Sequence, residues 1–158
     1  MKNKIKVIHL VDDLKIGGLE RMLATIVTHL DKNRYEVMVG CLIGGGDIAE
    51  ELIRKNIQVK ILSFSKSPFL VLWRLIFWLR KEKPKIIHCW ALSAGVLGRL
   101  AGFFVFVPVI ILHVQNVYYG LSEKQRIIER ILSFITHKII ACSEGVKESL
   151  VNFVKINK

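Results

Sequence analysis

The sequence predicts an α/β domain, a doubly wound and mostly parallel sheet of about six strands with helices on both faces. Three observations predict it. Short apolar runs alternate with stretches of helical period from one end of the chain to the other. The runs are nearly unbroken by polar residues, as suits strands covered on both faces. Glycine, serine or proline punctuates most passages from run to helix. A chain of 158 residues, half of them apolar, is enough for one domain with a real core.

The first strand covers about 4–11 and the first helix about 18–30. Leu19, Met22, Leu23, Ile26, Val27 and Leu30 fall at helical spacing on one face of that helix. Its run Thr25-Ile26-Val27-Thr28 is β-branched, so the helix depends on tertiary packing. Tyr35 to Ile43 is the second strand, ended by Gly44-Gly45-Gly46. Asp47 is placed to cap the next helix, with Glu50 three residues on to close a capping box. Ile57 to Leu62 is the third strand. Ser67-Pro68 opens a helix with proline at its favoured first position, and Pro84 stops it after Lys83. Lys85 to Cys89 is the fourth strand, and Ser93 to Gly102 a short helix whose glycines and alanines permit close packing. Pro108 to His113 is the fifth strand. Ser122 and Gln125 form a second capping box, opening a helix with Ile127, Ile128, Ile131, Leu132 and Ile135 as its core face. His137 to Cys142 is the sixth strand, and Ser143 caps a last helix that fades at Val154.

Composition bounds the function. The net charge of +11 suits a lysine-rich soluble surface or an anionic partner. Residues 66–88 carry six Lys/Arg against one acid, Glu82, together with Phe69, Trp73, Phe77 and Trp78. That mixture fits either a buried helix or one lying in a membrane interface through Trp73, Phe77, Trp78, Arg80 and Lys81. No zinc-finger spacing or RNA-recognition motif occurs, so no nucleic-acid partner is expected. Cys41, Cys89 and Cys142 are far apart, without metal-ligand spacing, and read as buried reduced thiols. Residues 100–119 lack charge, but Pro108, His113, Gln115 and Asn116 interrupt them; they read as a helix end, a turn and a buried strand rather than a membrane span. No signal peptide is visible, because Asp12-Asp13 follows the first apolar run at once.

Ligands of doubly wound sheets bind at the carboxyl ends of the strands. The residues there are Asp12 to Gly18, Gly44 to Gly46, Ser63 to Ser65, Cys89 to Ser93, His113 to Tyr118 and Ser143 to Gly145. Gly17-Gly18 stands where a strand hands over to a helix N-terminus. It is either a tight turn that needs positive φ or a cradle whose N–H groups hold a phosphate. It is neither a Walker A loop nor a dinucleotide fingerprint, which argues against a nicotinamide-dependent enzyme. His113 closes an apolar strand and can donate to a sugar or phosphate oxygen, or can be satisfied by a loop carbonyl. His9 and His88 read as packed strand residues, His29 and His137 as surface or terminal ones. No GxSxG elbow or metal cluster is present.

Taken together, these residues resemble the amino-terminal domain of the family 4 glycosyltransferases of GT-B fold. Val7 to Val11 through Gly17-Gly18-Leu19-Glu20-Arg21 is similar to the family's opening strand and helix start. Pro84-Lys85-Ile86-Ile87-His88 is similar to its Pro-Asp-Ile-Val-His strand, with Lys85 in place of the usual Asp. Pro108 to His113 resembles the strand that ends in the family's active-site histidine, and Ile139 to Glu144 its Val-Ser-Glu strand end. The resemblance covers about residues 4–154. It implies retaining transfer from a nucleotide-sugar donor to an envelope glycan or lipid-linked acceptor, without cofactor or metal. It implies that Gly17 and Gly18 face the donor phosphates or the acceptor, that His113 is catalytic beside the donor sugar, and that Gln115, Asn116 and Ser143 contact substrate. The family's second Rossmann domain, with its Glu-(x7)-Glu motif, is expected as a missing or separate partner. The chain alone is therefore expected to be inactive, and to be cytoplasmic or peripheral on the inner face of the membrane. The alternative is a non-catalytic Rossmann module that binds membrane or a partner.

Overall fold

A computed structural model describes residues 4–62 and 67–156. Six strands, β1 (Ile5–Asp13), β2 (Tyr35–Gly44), β3 (Gln58–Ile61), β4 (Ile86–Trp90), β5 (Val109–Val114) and β6 (Lys138–Ala141), form one sheet in the order β3-β2-β1-β4-β5-β6. Every neighbouring pair is parallel. The helices are α1 (Gly18–His29), α2 (Asp47–Arg54), α3 (Pro68–Glu82), α4 (Leu92–Phe104), α5 (Glu123–Ser133) and α6 (Glu144–Glu148). The last continues as a wide π turn, Ser149–Val154. The predicted class and element order therefore hold. The strand end Ser63–Ser65 and Lys66, named above, lie outside the described residues.

Alternate strand residues feed two cores. Val11, Val39 and Cys41 pack under α1 and α2 with Leu23, Val27, Ile48 and Leu52. Ile8, Leu10, Ile87, Cys89 and Leu112 face the other way, against α3 and α4. The glycines of α4 do what their spacing predicts. A methyl on Gly98 would stand 2.5 Å from Cys89 Sγ and 2.7 Å from Leu10 Cδ2, so the helix backbone lies directly on the sheet. Beside it, α5 is fastened by a buried pair in which Arg99 Nη2 donates to both carboxylate oxygens of Glu129, at 2.6 and 2.7 Å.

Several expectations are corrected. Trp78 does not lie on the outer side of α3 but is 7% exposed, seated on β2 where Gly40 makes room: a methyl there would be 2.7 Å from the indole. The isoleucines of α5 do not form its core face; Ile127, Ile128 and Ile131 are exposed, and Glu129, Leu132 and Ser133 turn inward because Arg99 draws Glu129 into the core. Met22 is also exposed, since α1 packs on the sheet through Leu23, Ala24 and Val27. Asp47 is the first residue of α2 rather than its cap. Gly46 holds that place, and the Leu14 carbonyl of the β1–α1 loop accepts from Ile48 N at 3.2 Å. Cys142 is exposed, unlike Cys41 and Cys89. Among the described residues no helix is long and apolar enough to cross a membrane.

Candidate functional site

The carboxyl ends of β1, β4 and β5 meet the N-termini of α1, α4 and α5, and Gly17, Gly18, His113, Gln115 and Asn116 lie at these ends. Gly17 is the N-cap of α1 and Gly18 its first residue. Neither has positive φ; Gly17 is extended at φ −163°. The tight-turn explanation of the pair thus fails. Packing does not require the glycines either: a methyl on Gly18 meets nothing within 4 Å, and one on Gly17 meets only the flexible carboxylate of Glu20. No side chain caps α1, α2 or α3, whereas Ser122 caps α5, Ser143 caps α6, and Asp12 Oδ1 accepts from Ala94 N in the first turn of α4 at 2.7 Å. The first turn of α1 presents backbone N–H groups without a helical partner and the positive end of the helix dipole, with the Glu20 carboxylate folded back against Gly17. Burial raises the Asp12 carboxyl above its usual range, its bonds to the head of α4 opposing that shift.

His113 stands at the end of β5, 5% exposed. Its ring is stacked on Trp90, with centroids 4.1 Å apart and 16° between planes, and on His88 at 5.6 Å. Trp90 Nε1 donates to His9 Nδ1 at 3.2 Å, so three histidines and one indole form a continuous buried row across β1, β4 and β5. Burial drives the His9 imidazole down to about 3 and His88 to about 2, and lowers His113 in the same direction. All three rings are neutral near pH 7. Both nitrogens of His113 are buried without a partner, which is unusual for an imidazole and leaves one free to donate and one to accept.

Next to His113, a cleft of about 230 Å³ is lined by Leu19, Ala91, Val114, Gln115, Asn116 and Tyr118, among others. It brings Gln115 and Asn116 to the head of α1, where Gln115 Nε2 reaches Met22 Sδ at 3.2 Å. Ser143 does not line it, and its Oγ accepts from Val146 N in the capping role. Two features went unread in the sequence. Trp90 is the platform for His113, and Ala91 adopts φ 64°, ψ −178°, a strained conformation for a residue with a side chain. Only the pairing of β4 with β5, which places Trp90 opposite His113, reveals the first. Among the described residues, no group of His, Cys, Asp and Glu is placed to hold a metal ion.

Comparison with known proteins agrees with this fold. No curated protein matches the chain. Among solved structures, the Anabaena protein Alr3699/HepE in complex with UDP-glucose superposes with a TM-score of 0.78 at 18% identity, covering 94% of this chain and 40% of that one. A glycosyltransferase from Rickettsia africae ESF-5 gives 0.77 at 19% identity over 98% of this chain and 41% of that one. A UDP-N-acetylglucosamine 2-epimerase gives 0.65 at 13% identity over 95% and 45%, so the fold alone is shared beyond sugar transfer. The chain spans about two fifths of the length of the first two proteins. The model of Glycosyltransferase Family 4 matches residues 16–158, nearly the whole chain, and the chain belongs to that family.

Proposed function

We propose that this chain is the acceptor-side half of a retaining glycosyltransferase. It works on a nucleotide-sugar donor and a glycan or lipid-linked acceptor, and it is inactive without a donor-binding domain. The observation that carries the reading is the pairing of an uncapped α1 N-terminus, whose glycines neither backbone nor packing requires, with a buried imidazole that lacks partners. The match to UDP-glucose-bound HepE supports the donor class.

In this reading Gly17 and Gly18 let the donor diphosphate approach the first turn of α1, where N–H groups offset the charge that grows on the leaving group. Glu20 swings aside. Neutral His113 donates to a hydroxyl of the donor sugar, its orientation fixed by Trp90. Gln115 and Asn116 hold the acceptor in the adjoining cleft. Ser143 supports the far rim through its cap rather than by direct contact.

The test is sugar release and transfer from UDP-glucose by the chain alone and by the chain joined to a donor-binding Rossmann domain. We expect no turnover alone and turnover when joined, reduced at least about a hundredfold by His113→Ala. Turnover by the chain alone, or an active His113→Ala protein, contradicts the reading.

A further inference from the structure

The cleft beside His113 carries no charged side chain among the described residues. Its walls are aliphatic, built by Leu19, Ala91, Leu92, Val114, Val117 and Leu121. Its polar groups are the amides of Gln115 and Asn116 and the phenol of Tyr118, which burial holds well above its ordinary range and so keeps neutral. That neutrality stands out in a chain with 24 Lys/Arg against 13 Asp/Glu. Arg80 and Lys81 of α3, with the exposed Trp73 and Phe77, are not part of the cleft. Charges on the adjoining elements are engaged elsewhere. Asp12 accepts from Ala94 N, Arg21 Nη1 donates to Glu51 at 3.0 Å, and Arg99, whose field reaches Tyr118, is neutralised by Glu129.

The two amides are unspent. Gln115 Nε2 meets only the thioether of Met22, a weak acceptor, and the Asn116 amide has no partner among the described residues. Each amide offers two donors and one acceptor, which pairs with hydroxyl or acetamido groups. At about 230 Å³ the cleft is smaller than the sites that hold drug-sized ligands, which gives room for one sugar ring. Ala91 adds a further sign. Glycine takes φ 64°, ψ −178° without strain, yet an alanine lines the cleft there.

We infer that this cleft selects an uncharged sugar that carries a methyl group, as a 6-deoxyhexose or an N-acetylhexosamine does, and rejects uronic acids and phosphorylated sugars. That this sugar is the acceptor rests on the transfer reading; the binding preference does not. A methyl group set against the aliphatic walls leaves water at a gain, whereas a hydroxyl in the same place loses water without finding a partner. A carboxylate or phosphate would give up its hydration where no opposite charge replaces it.

Nuclear magnetic resonance of the 158-residue chain, titrated with free monosaccharides and no donor, tests the preference in matched gluco and galacto series. The 6-deoxy and N-acetylamino sugars should shift the side-chain amides of Gln115 and Asn116 and the methyls of Leu92 and Val117. At least one of them should bind about threefold or more tighter than its parent hexose, and at least about tenfold tighter than the uronate or the 6-phosphate. Which of the two binds identifies the source of the methyl group. Val117 is 50% exposed at the rim, and Val117→Lys should raise uronate binding at least about fivefold with unchanged circular dichroism. Leu92→Ser should erase the preference over the parent hexose. Parent hexoses that bind as tightly as both methyl-bearing sugars, uronates that bind as tightly as neutral sugars, or amides of Gln115 and Asn116 that move with none of them overturn the inference. The transfer reading is judged separately, by the response of Gly17, Gly18 and His113 to UDP-glucose.

Discussion

The imidazole of His113 lies flat on the indole of Trp90, their centroids 4.1 Å apart, and the two residues are register partners on β5 and β4. The indole also donates to His9, so it holds both neighbours of the buried row. Trp90 is fully buried. Trp90→Ala should therefore cost about 3–5 kcal/mol in urea unfolding. Trp90→Phe keeps a ring under His113 and loses the donor, and should cost clearly less. Equal costs would mean that stacking is not what holds His113.

The buried histidines set a pH dependence. His9 and His88 stay neutral in the fold down to about 3 and about 2, against an ordinary 6.5 in the unfolded chain. Below pH 6.5 the unfolded chain therefore binds more protons, and stability rises with pH through that window. As the pH falls from 6.5 toward 5, each histidine should remove up to about 1.4 kcal/mol per pH unit, and above 7 the term vanishes. Thermal unfolding from pH 8 to pH 5 measures this. His88→Leu should flatten the slope by one proton's worth, and a parent protein with no slope would contradict the assignment.

Arg99 and Glu129 join α4 to α5 at no exposure, and Arg99 Nη1 has no partner of its own. Removing one charge strands the other. Glu129→Leu or Arg99→Met should each destabilise by about 3–5 kcal/mol, while the double replacement recovers most of the loss. Chemical denaturation of the three variants forms a double-mutant cycle, and additive losses would show that the pair does not act as one unit.

Two glycines separate packing from function. Gly98→Ala drives a methyl into Cys89 and Leu10, and should cost about 1–3 kcal/mol. Gly18→Ala meets open space in a helix, so it should leave stability unchanged or raise it by up to about 1 kcal/mol. The same Gly18→Ala protein should bind UDP-glucose more weakly, because the methyl occupies the path of the diphosphate. Unchanged binding, followed by calorimetry, would free Gly18 of that role.

Much of the fold was legible because strand and helix periods differ and glycine, serine and proline mark the joints. The capping box of Ser122 and Gln125 forms as its spacing predicts. What failed was decided at long range. Trp78 turns inward because a glycine on another strand leaves room, and no local window contains Gly40 and Trp78 together. The periodicity of α5 was real, but period alone does not say whether an apolar stripe meets the sheet. A buried Arg–Glu pair took that side, and the isoleucines were left outside. At the site, His113 and Gly17-Gly18 could be read from their places at strand ends, whereas the platform of Trp90 needed the pairing of β4 with β5.

The most direct test of the central claim is nuclear magnetic resonance of the 158-residue chain titrated with UDP-glucose. The backbone amides of Gly17, Gly18 and Leu19 and the ring of His113 should shift together and saturate on one curve, while α2 and the amino end of the sheet stay still. Shifts confined to other surfaces, or none at saturation once the chain is joined to a donor-binding domain, would contradict a sugar-transfer wall at the carboxyl edge.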